Sequence, residues 1–170
     1  MSPQKSPKAK GFTIIELVVV MVIIGILAVS AAPVFLGRDG VDEYLFQARL
    51  QSVLRLQQQR AMQDTINCYA VRIESNRFAA VDDCNASSIS DPLTDPGSGI
   101  AADEAQDAGV TLSSSAASVP YNIPFNALGC PVAAPADCEA GVNHQITLSG
   151  QSALQVCVTN QGYVTTGSCP

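Results

Sequence analysis

One stretch constrains this chain more than any other. From Leu17 to Gly37 no charged residue occurs, and nearly every position is Val, Ile, Leu, Ala or Met. At ~1.5 Å per residue, a helix of that length reaches roughly 32 Å, enough to cross the core of a bilayer. One carboxylate, Glu16, sits at the mouth of the run. An acidic group at membrane depth costs on the order of 2.5–3.5 kcal/mol, and a plain anchor has no use for it. A single-span anchor whose Glu16 merely reaches back to the interface leaves the residues before it unexplained.

Those residues form a basic leader. All three lysines of the chain, Lys5, Lys8 and Lys10, fall in the first ten positions, which keeps this end cytoplasmic by the positive-inside rule. A secretory signal is cut after its apolar core, beside small residues. Here the junction that stands out, Gly11-Phe12, comes before the core.

The leader, the stretch Gly11-Phe12-Thr13-Ile14-Ile15-Glu16 and the apolar run resemble the N-terminus of type IV prepilins and type II secretion pseudopilins. The resemblance covers about the first third of the chain. It implies cleavage after Gly11 by a membrane peptidase that also N-methylates the new terminus, Phe12, and a role for Glu16 in assembly. Pro33 stands where the family commonly carries a helix-kinking proline; inside a helix it removes an i→i−4 hydrogen bond. The implied partners are the prepilin peptidase/N-methyltransferase, an inner-membrane assembly platform and other pilin subunits. The implied location is the inner membrane, single-pass with a periplasmic C-terminus, and then an extracellular pilus. Physics supports the pairing. A freed α-amino group on Phe12 is a cation at the depth of a neighbour's Glu16, and in lipid each charge is costly unless paired.

Gly37-Arg38-Asp39-Gly40 predicts a break, because two glycines so close disfavour a helix. Asp39 is placed to cap a second helix running from Val41 to about Asp64, with Asp42 and Glu43 in its first turn. Val41, Leu45, Ala48, Ser52 and Leu56 recur at three- and four-residue steps, and Phe46, Leu50, Val53 and Leu54 widen the stripe. Arg49, Arg55, Arg60 and Gln57-Gln58-Gln59 are assigned to the other face. Such a helix is expected to cover a sheet.

The sheet is expected to begin with a hairpin, Cys68–Ile73 and Arg77–Val81, turning at Glu74-Ser75-Asn76. Further strands are expected near Gln145–Leu148, Ala153–Thr159 and Tyr163–Thr166, whereas Pro120 and Pro124 demote Tyr121–Phe125. Asn85 to Gly109 reads as a long loop. The predicted organisation is a cleaved leader (1–11), a transmembrane or filament-core helix (12–37), an amphipathic helix (38–64) and a disulfide-linked β-rich head (65–170). The fold class is α+β, a long N-terminal helix packed on a small antiparallel sheet.

Six cysteines behind an export-type span read as disulfides. Cys68 and Cys84 flank the hairpin and are expected to pair, which in the chain-entropy model contributes about 3 kcal/mol. Cys130–Cys138 and Cys157–Cys169 follow as sequence neighbours, among the many pairings six cysteines allow. With no Cys-x-x-Cys pair and a single histidine, His144, a zinc site is disfavoured. No cofactor is expected. Asp91, Asp95, Asp103, Glu104 and Asp107 match no calcium loop and read as a solvated acidic stretch. Without the leader, six arginines face fifteen carboxylates, a formal charge of −9, and that argues against a nucleic-acid surface. Asn85-Ala86-Ser87 matches an N-glycosylation acceptor only formally.

No catalytic constellation is present, so an enzyme is not expected. Val41-Asp42-Glu43-Tyr44 onward to Asn67-Cys68-Tyr69 looks like minor pilins of the mannose-sensitive haemagglutinin (MSHA) type. That implies a minor type IV pilin which enters or primes a surface pilus used in attachment. The alternatives are a type II secretion pseudopilin, or a pilus-tip adhesin binding through the 85–109 loop.

Overall fold

Val, Ile and Leu in near-unbroken succession leave the first helix no polar face. In a computed structural model of the chain, residues 12–36, 41–90, 93, 96–132 and 137–170 are described. Helix α1 runs from Ile14 to Leu36, on past Pro33, and every large apolar side chain from Phe12 to Leu27 is exposed. Among the described residues no helix is long and apolar enough to cross a membrane. The backbone of α1 is helical over 23 residues, with Glu16 as its one charge. The chain divides into two units, one ending at Arg38 and the other running from Asp39 to Pro170. The leader, Gly11 and the expected break at Gly37-Arg38-Asp39-Gly40 lie outside the described residues.

In the second unit, α2 (Val41–Gln63) carries Asp42 and Glu43 in its first turn and Arg60 in its last, the signs that each end of the helix dipole favours. Its buried face consists of Glu43, Phe46, Leu50, Val53, Leu54, Gln57 and Ala61. This corrects the sequence reading. Val41, Leu45 and Leu56 are exposed, as are Ala48 and Ser52, and Gln57 belongs to the buried side. The two stripes lie about half a turn apart on the helix. The bulkier one faces inward because Phe46, Leu50 and Leu54 remove more apolar area from water than Ala48 or Ser52 can. Helix α2 is therefore apolar on two opposite faces, of which one is covered.

Strands β1 (Tyr69–Glu74) and β2 (Arg77–Val81) form the hairpin around Ser75-Asn76. Strands β3 (Gly99–Ile100) and β5 (Tyr121–Phe125) flank it, giving the order β3-β2-β1-β5. A second sheet has the order β4-β6-β7-β8, built from Thr111–Ser114, His144–Ser149, Ala153–Val158 and Val164–Thr166. All pairings are antiparallel. Where one small sheet was expected there are two. Tyr121–Phe125 is a strand after all, because it is an edge strand, and an edge tolerates the N–H that Pro124 lacks. The expected 85–109 loop contains a 3-10 turn (Pro96–Ser98), β3 and α3 (Ala102–Asp107), with Ile89, Ile100 and Ala105 buried. Gly99 within it is not a loop signal. A Cβ on Gly99 would lie 2.1 Å from the Phe78 carbonyl oxygen, so glycine is what lets β3 approach β2.

One core joins α2 to both sheets. Phe46, Leu50 and Leu54 share it with Val71, Ile73, Phe78 and Ile123 of the first sheet and with Ile146, Leu148, Val156 and Val158 of the second. Polar side chains of α2, Glu43 in the buried face among them, add fixed links. The Glu43 carboxylate accepts the Gln151 and Ser152 N–H groups at the β6–β7 turn. Gln47 donates to the Gln155 carbonyl at 2.8 Å and Arg55 to the Val164 carbonyl at 3.0 Å. Gln58 Nε2 donates to the Gly129 and Gly162 carbonyls, each at 2.7 Å. The sheets also meet directly, through the Leu112 N–H on the Ser75 carbonyl at 2.8 Å and through stacked Tyr121 and His144 rings 5.9 Å apart. Disulfides join Cys68 to Cys84, Cys130 to Cys138 and Cys157 to Cys169.

Two substitutions test this packing by urea unfolding. Gly162 has φ +88°, and a Cβ there would lie 2.2 Å from the Gly129 carbonyl oxygen. Gly162→Ala is expected to cost more than ~1 kcal/mol; an unchanged midpoint would refute the turn-on-turn contact. Gln57 is fully buried, and neither of its amide atoms has a partner among the described residues. Gln57→Met, close in volume, is expected to raise stability by on the order of 1 kcal/mol, and a lower midpoint would show that the amide is satisfied.

Candidate functional site

The N-terminal residues build a site from a helix start. Phe12, 81% exposed, and Thr13 precede the helix. The Thr13 carbonyl accepts the Leu17 N–H at 3.2 Å and the Glu16 N–H at 3.1 Å, and its hydroxyl accepts the same Glu16 N–H at 3.3 Å. This is the bonding of an N-cap residue. Glu16, the third helical residue, is exposed and lies where the helix dipole favours a carboxylate. Phe12 and Glu16 are thus brought together within one turn. Gly11 lies outside the described residues, and Pro33 belongs to the same helix well away from them. The Thr13 cap was missed by the sequence reading, although Thr-x-x-Glu is a recognised capping pattern.

In the second unit, two concavities flank the Asp64–Tyr69 connection. One, of about 450 Å³, is lined by Asp64, Asn67, Asp83, Asn85, Asn122 and Asn126 together with the Cys68–Cys84 bridge; the other, of about 400 Å³, is lined by Arg60, Asn67, Tyr69 and Asp82. Their polar groups are largely engaged in holding turns. Asp64 accepts the Ile66 N–H, the Asn67 N–H and side-chain amide, and the Tyr69 hydroxyl. Those bonds, the Asn67 amide foremost, hold its carboxyl at about 2. Asn122 donates to the Cys84 and Ala86 carbonyls and accepts from Arg72.

Arg72, buried on β1, also donates to the Ala86 and Ser87 carbonyls, each at 2.7 Å, and to Glu74 at 2.8 Å. The start of the segment expected as a free loop is therefore pinned to the first sheet. Further along it, Glu104 on α3 pairs with Arg49 of α2 at 2.6 Å. Of the acidic candidates, Asp91 and Asp95 lie outside the described residues, and Asp103, Glu104 and Asp107 belong to α3. Among the described residues no group of three His, Cys, Asp or Glu side chains could hold a metal. His144 opens β6 and is buried.

Comparison with known families finds a match at the N-terminus. The prokaryotic N-terminal methylation motif matches residues 6–32. The match is confined to that N-terminal stretch. Two crystal structures of the type IV minor pilin FimU of Pseudomonas aeruginosa (strain PAO1) are similar to this chain. The P21 form gives a TM-score of 0.48 at 10% identity, covering 74% of this chain and 87% of that one. The P65 form gives 0.49 at 9% identity, covering 74% and 92%. No curated protein matches the chain.

Two buried groups make the C-terminal unit sensitive to acid. Burial holds the His144 ring below its usual 6.5, opposed by the Pro131 carbonyl. The unfolded chain then binds the proton more readily, so this stability is complete above pH 6.5 and is lost as pH falls through the folded value. Glu43 is held below 4.5 by its own backbone N–H and that of Ser152, against burial and with help from Gln151; its contribution is lost further down. His144→Phe keeps an aromatic ring against Tyr121. It is expected to flatten the fall in unfolding midpoint between pH 6.5 and 4.5, and an unaltered slope would assign the titration elsewhere.

Proposed function

We propose that this chain is a minor subunit of a type IV pilus, processed between Gly11 and Phe12, N-methylated at Phe12, and inserted by pairing of the Phe12 α-ammonium with Glu16 of a neighbouring subunit. The observation that carries the reading is the prepilin motif with its carboxylate exposed in the first turn of an otherwise uncharged helix. In lipid such a carboxylate is costly until a cation reaches it, so docking and neutralisation are one event. In this reading α1 spans the inner membrane before assembly and lines the filament core afterwards, with Pro33 as its bend. The exposed stripe of α2, Val41, Leu45, Ala48, Ser52 and Leu56, supports the same conclusion. It is free of charge and built of small and aliphatic residues that suit helix-on-helix contact with adjacent subunits. The likeness of the post-anchor segment to MSHA-type minor pilins supports a part in attachment.

The test is incorporation into sheared filaments, with the N-terminus read by mass spectrometry. Glu16→Ala is expected to be cut and methylated normally yet to be lost from filaments by at least tenfold. Leu45→Asp is expected to keep the wild-type unfolding midpoint, because the side chain is already exposed, and still to reduce incorporation. A wild-type protein that remains uncut in the membrane would sink the proposal. Incorporation into a secretion pseudopilus instead of a pilus would reassign the filament.

A further inference from the structure

We infer that three exposed apolar side chains of the C-terminal unit, Met62, Leu128 and Tyr163, form a docking patch for the uncharged α2 stripe of the next subunit in the filament. The inference rests on the filament reading above and names the partner of that stripe. Each of the three side chains is more than half exposed. They come from separate places in the chain: the last turn of α2, the turn after β5 and the turn before β8. Gln58 draws these places together by donating to the Gly129 and Gly162 carbonyls, each at 2.7 Å. The approach is close. A Cβ on Gly129 would lie 3.0 Å from the Met62 sulfur, and one on Gly162 would lie 2.2 Å from the Gly129 carbonyl oxygen.

Both turns hold their apolar residue in a fixed position. The Asn126 side chain accepts the Leu128 and Cys130 N–H groups, each at 3.0 Å, and its carbonyl accepts the Gly129 N–H at 2.9 Å. Thr159 closes the other turn. Its carbonyl accepts the Gly162 N–H at 2.8 Å, its N–H donates to the Tyr163 carbonyl at 3.0 Å, and its hydroxyl accepts the Tyr163 N–H at 3.1 Å. Turns tied in this way have little freedom left to lose on docking. Tyr and Met are also residue types enriched at the centres of interfaces.

Charge decides what can cover the patch. Six arginines against fifteen carboxylates leave the chain without its leader at −9, so neighbouring heads repel except where both surfaces lack carboxylates. The patch is such a surface, and so is the exposed stripe Val41, Leu45, Ala48, Ser52 and Leu56. Between Leu45 and Leu56 the small Ala48 and Ser52 leave a hollow that suits a protruding side chain such as Tyr163. Patch and stripe are different surfaces of one subunit. Their contact is therefore heterologous and repeats without closing, which a filament requires, whereas a patch that paired with itself would stop at a dimer. Met62 stands on α2, so the contact stays helix-on-helix at its centre, with Leu128 and Tyr163 beside it.

The experiment uses sheared filaments from cells making the full-length chain. Tyr163 is replaced by the photo-cross-linker p-benzoylphenylalanine, the filaments are irradiated, and mass spectrometry maps the adduct. The adduct is expected on the neighbouring subunit, in the helix that follows its apolar span, over the segment matching residues 41–56. An adduct elsewhere on the neighbour, or none at all, overturns the inference. Leu128→Ser combined with Tyr163→Ser is expected to lower incorporation at least fivefold and to keep the wild-type urea midpoint, because both side chains are already exposed. Wild-type incorporation of that double variant overturns the inference, and so does a lowered midpoint, which would assign the two side chains to the fold. Wild-type chain absent from filaments overturns the pilus reading and this one with it; that result is read before any variant is compared.

Discussion

Both sheets of the C-terminal unit depend on the inward stripe of α2. The side chains of Phe46, Leu50, Val53 and Leu54 form the common floor on which the β3-β2-β1-β5 and β4-β6-β7-β8 sheets rest. Full burial of an aliphatic or aromatic side chain contributes roughly 1.5–3 kcal/mol, so a few residues on one helix outweigh the direct links between the sheets. Among the described residues those links include a backbone hydrogen bond at Ser75, a ring stack and shared core contacts. The polar side chains of α2 do a different task. Glu43, Gln47, Arg55 and Gln58 bind carbonyls and N–H groups of the second sheet and its turns, and Gln58 also binds the Gly129 carbonyl in the turn after β5; they fix where along its length the helix meets the second sheet.

Parts of this arrangement are legible in the residues alone, and others are not, for physical reasons. Strand β6 alternates buried and half-buried positions from His144 to Ser149, the pattern a half-covered sheet imposes, and it was readable. The extent of α2 was readable too, but its facing was not. Periodicity reports an angle between stripes, and the choice of which stripe is covered depends on sheets far away in sequence. The 85–109 segment was misread because its structure is built by close approach. Gly99 and Ala105 contribute by being small, which looks like loop composition. Strand β4 offers a single buried residue, Leu112, too thin a signal to register.

The N-terminus was the opposite case. Its chemistry lies in contiguous residues, so a leader, a glycine–phenylalanine junction, a carboxylate and an apolar run could be recognised without any tertiary information, and the motif match at residues 6–32 covers the same ground. What contiguity hid was the local geometry. Thr13 reads as one polar letter in an apolar string, and its engagement with the Glu16 N–H becomes visible only once the helix start is known.

The three disulfides each join a cysteine to the next cysteine in sequence, at separations of 16, 8 and 12 residues. None of the closed loops overlaps another. For a chain that emerges from one end and meets an oxidant as it does so, the correct partner is always the first one available. No bond has to be broken and remade by the slow exchange of thiol and disulfide. The order of synthesis and the order of oxidation are then the same, and covalent closure of the unit can keep pace with its delivery.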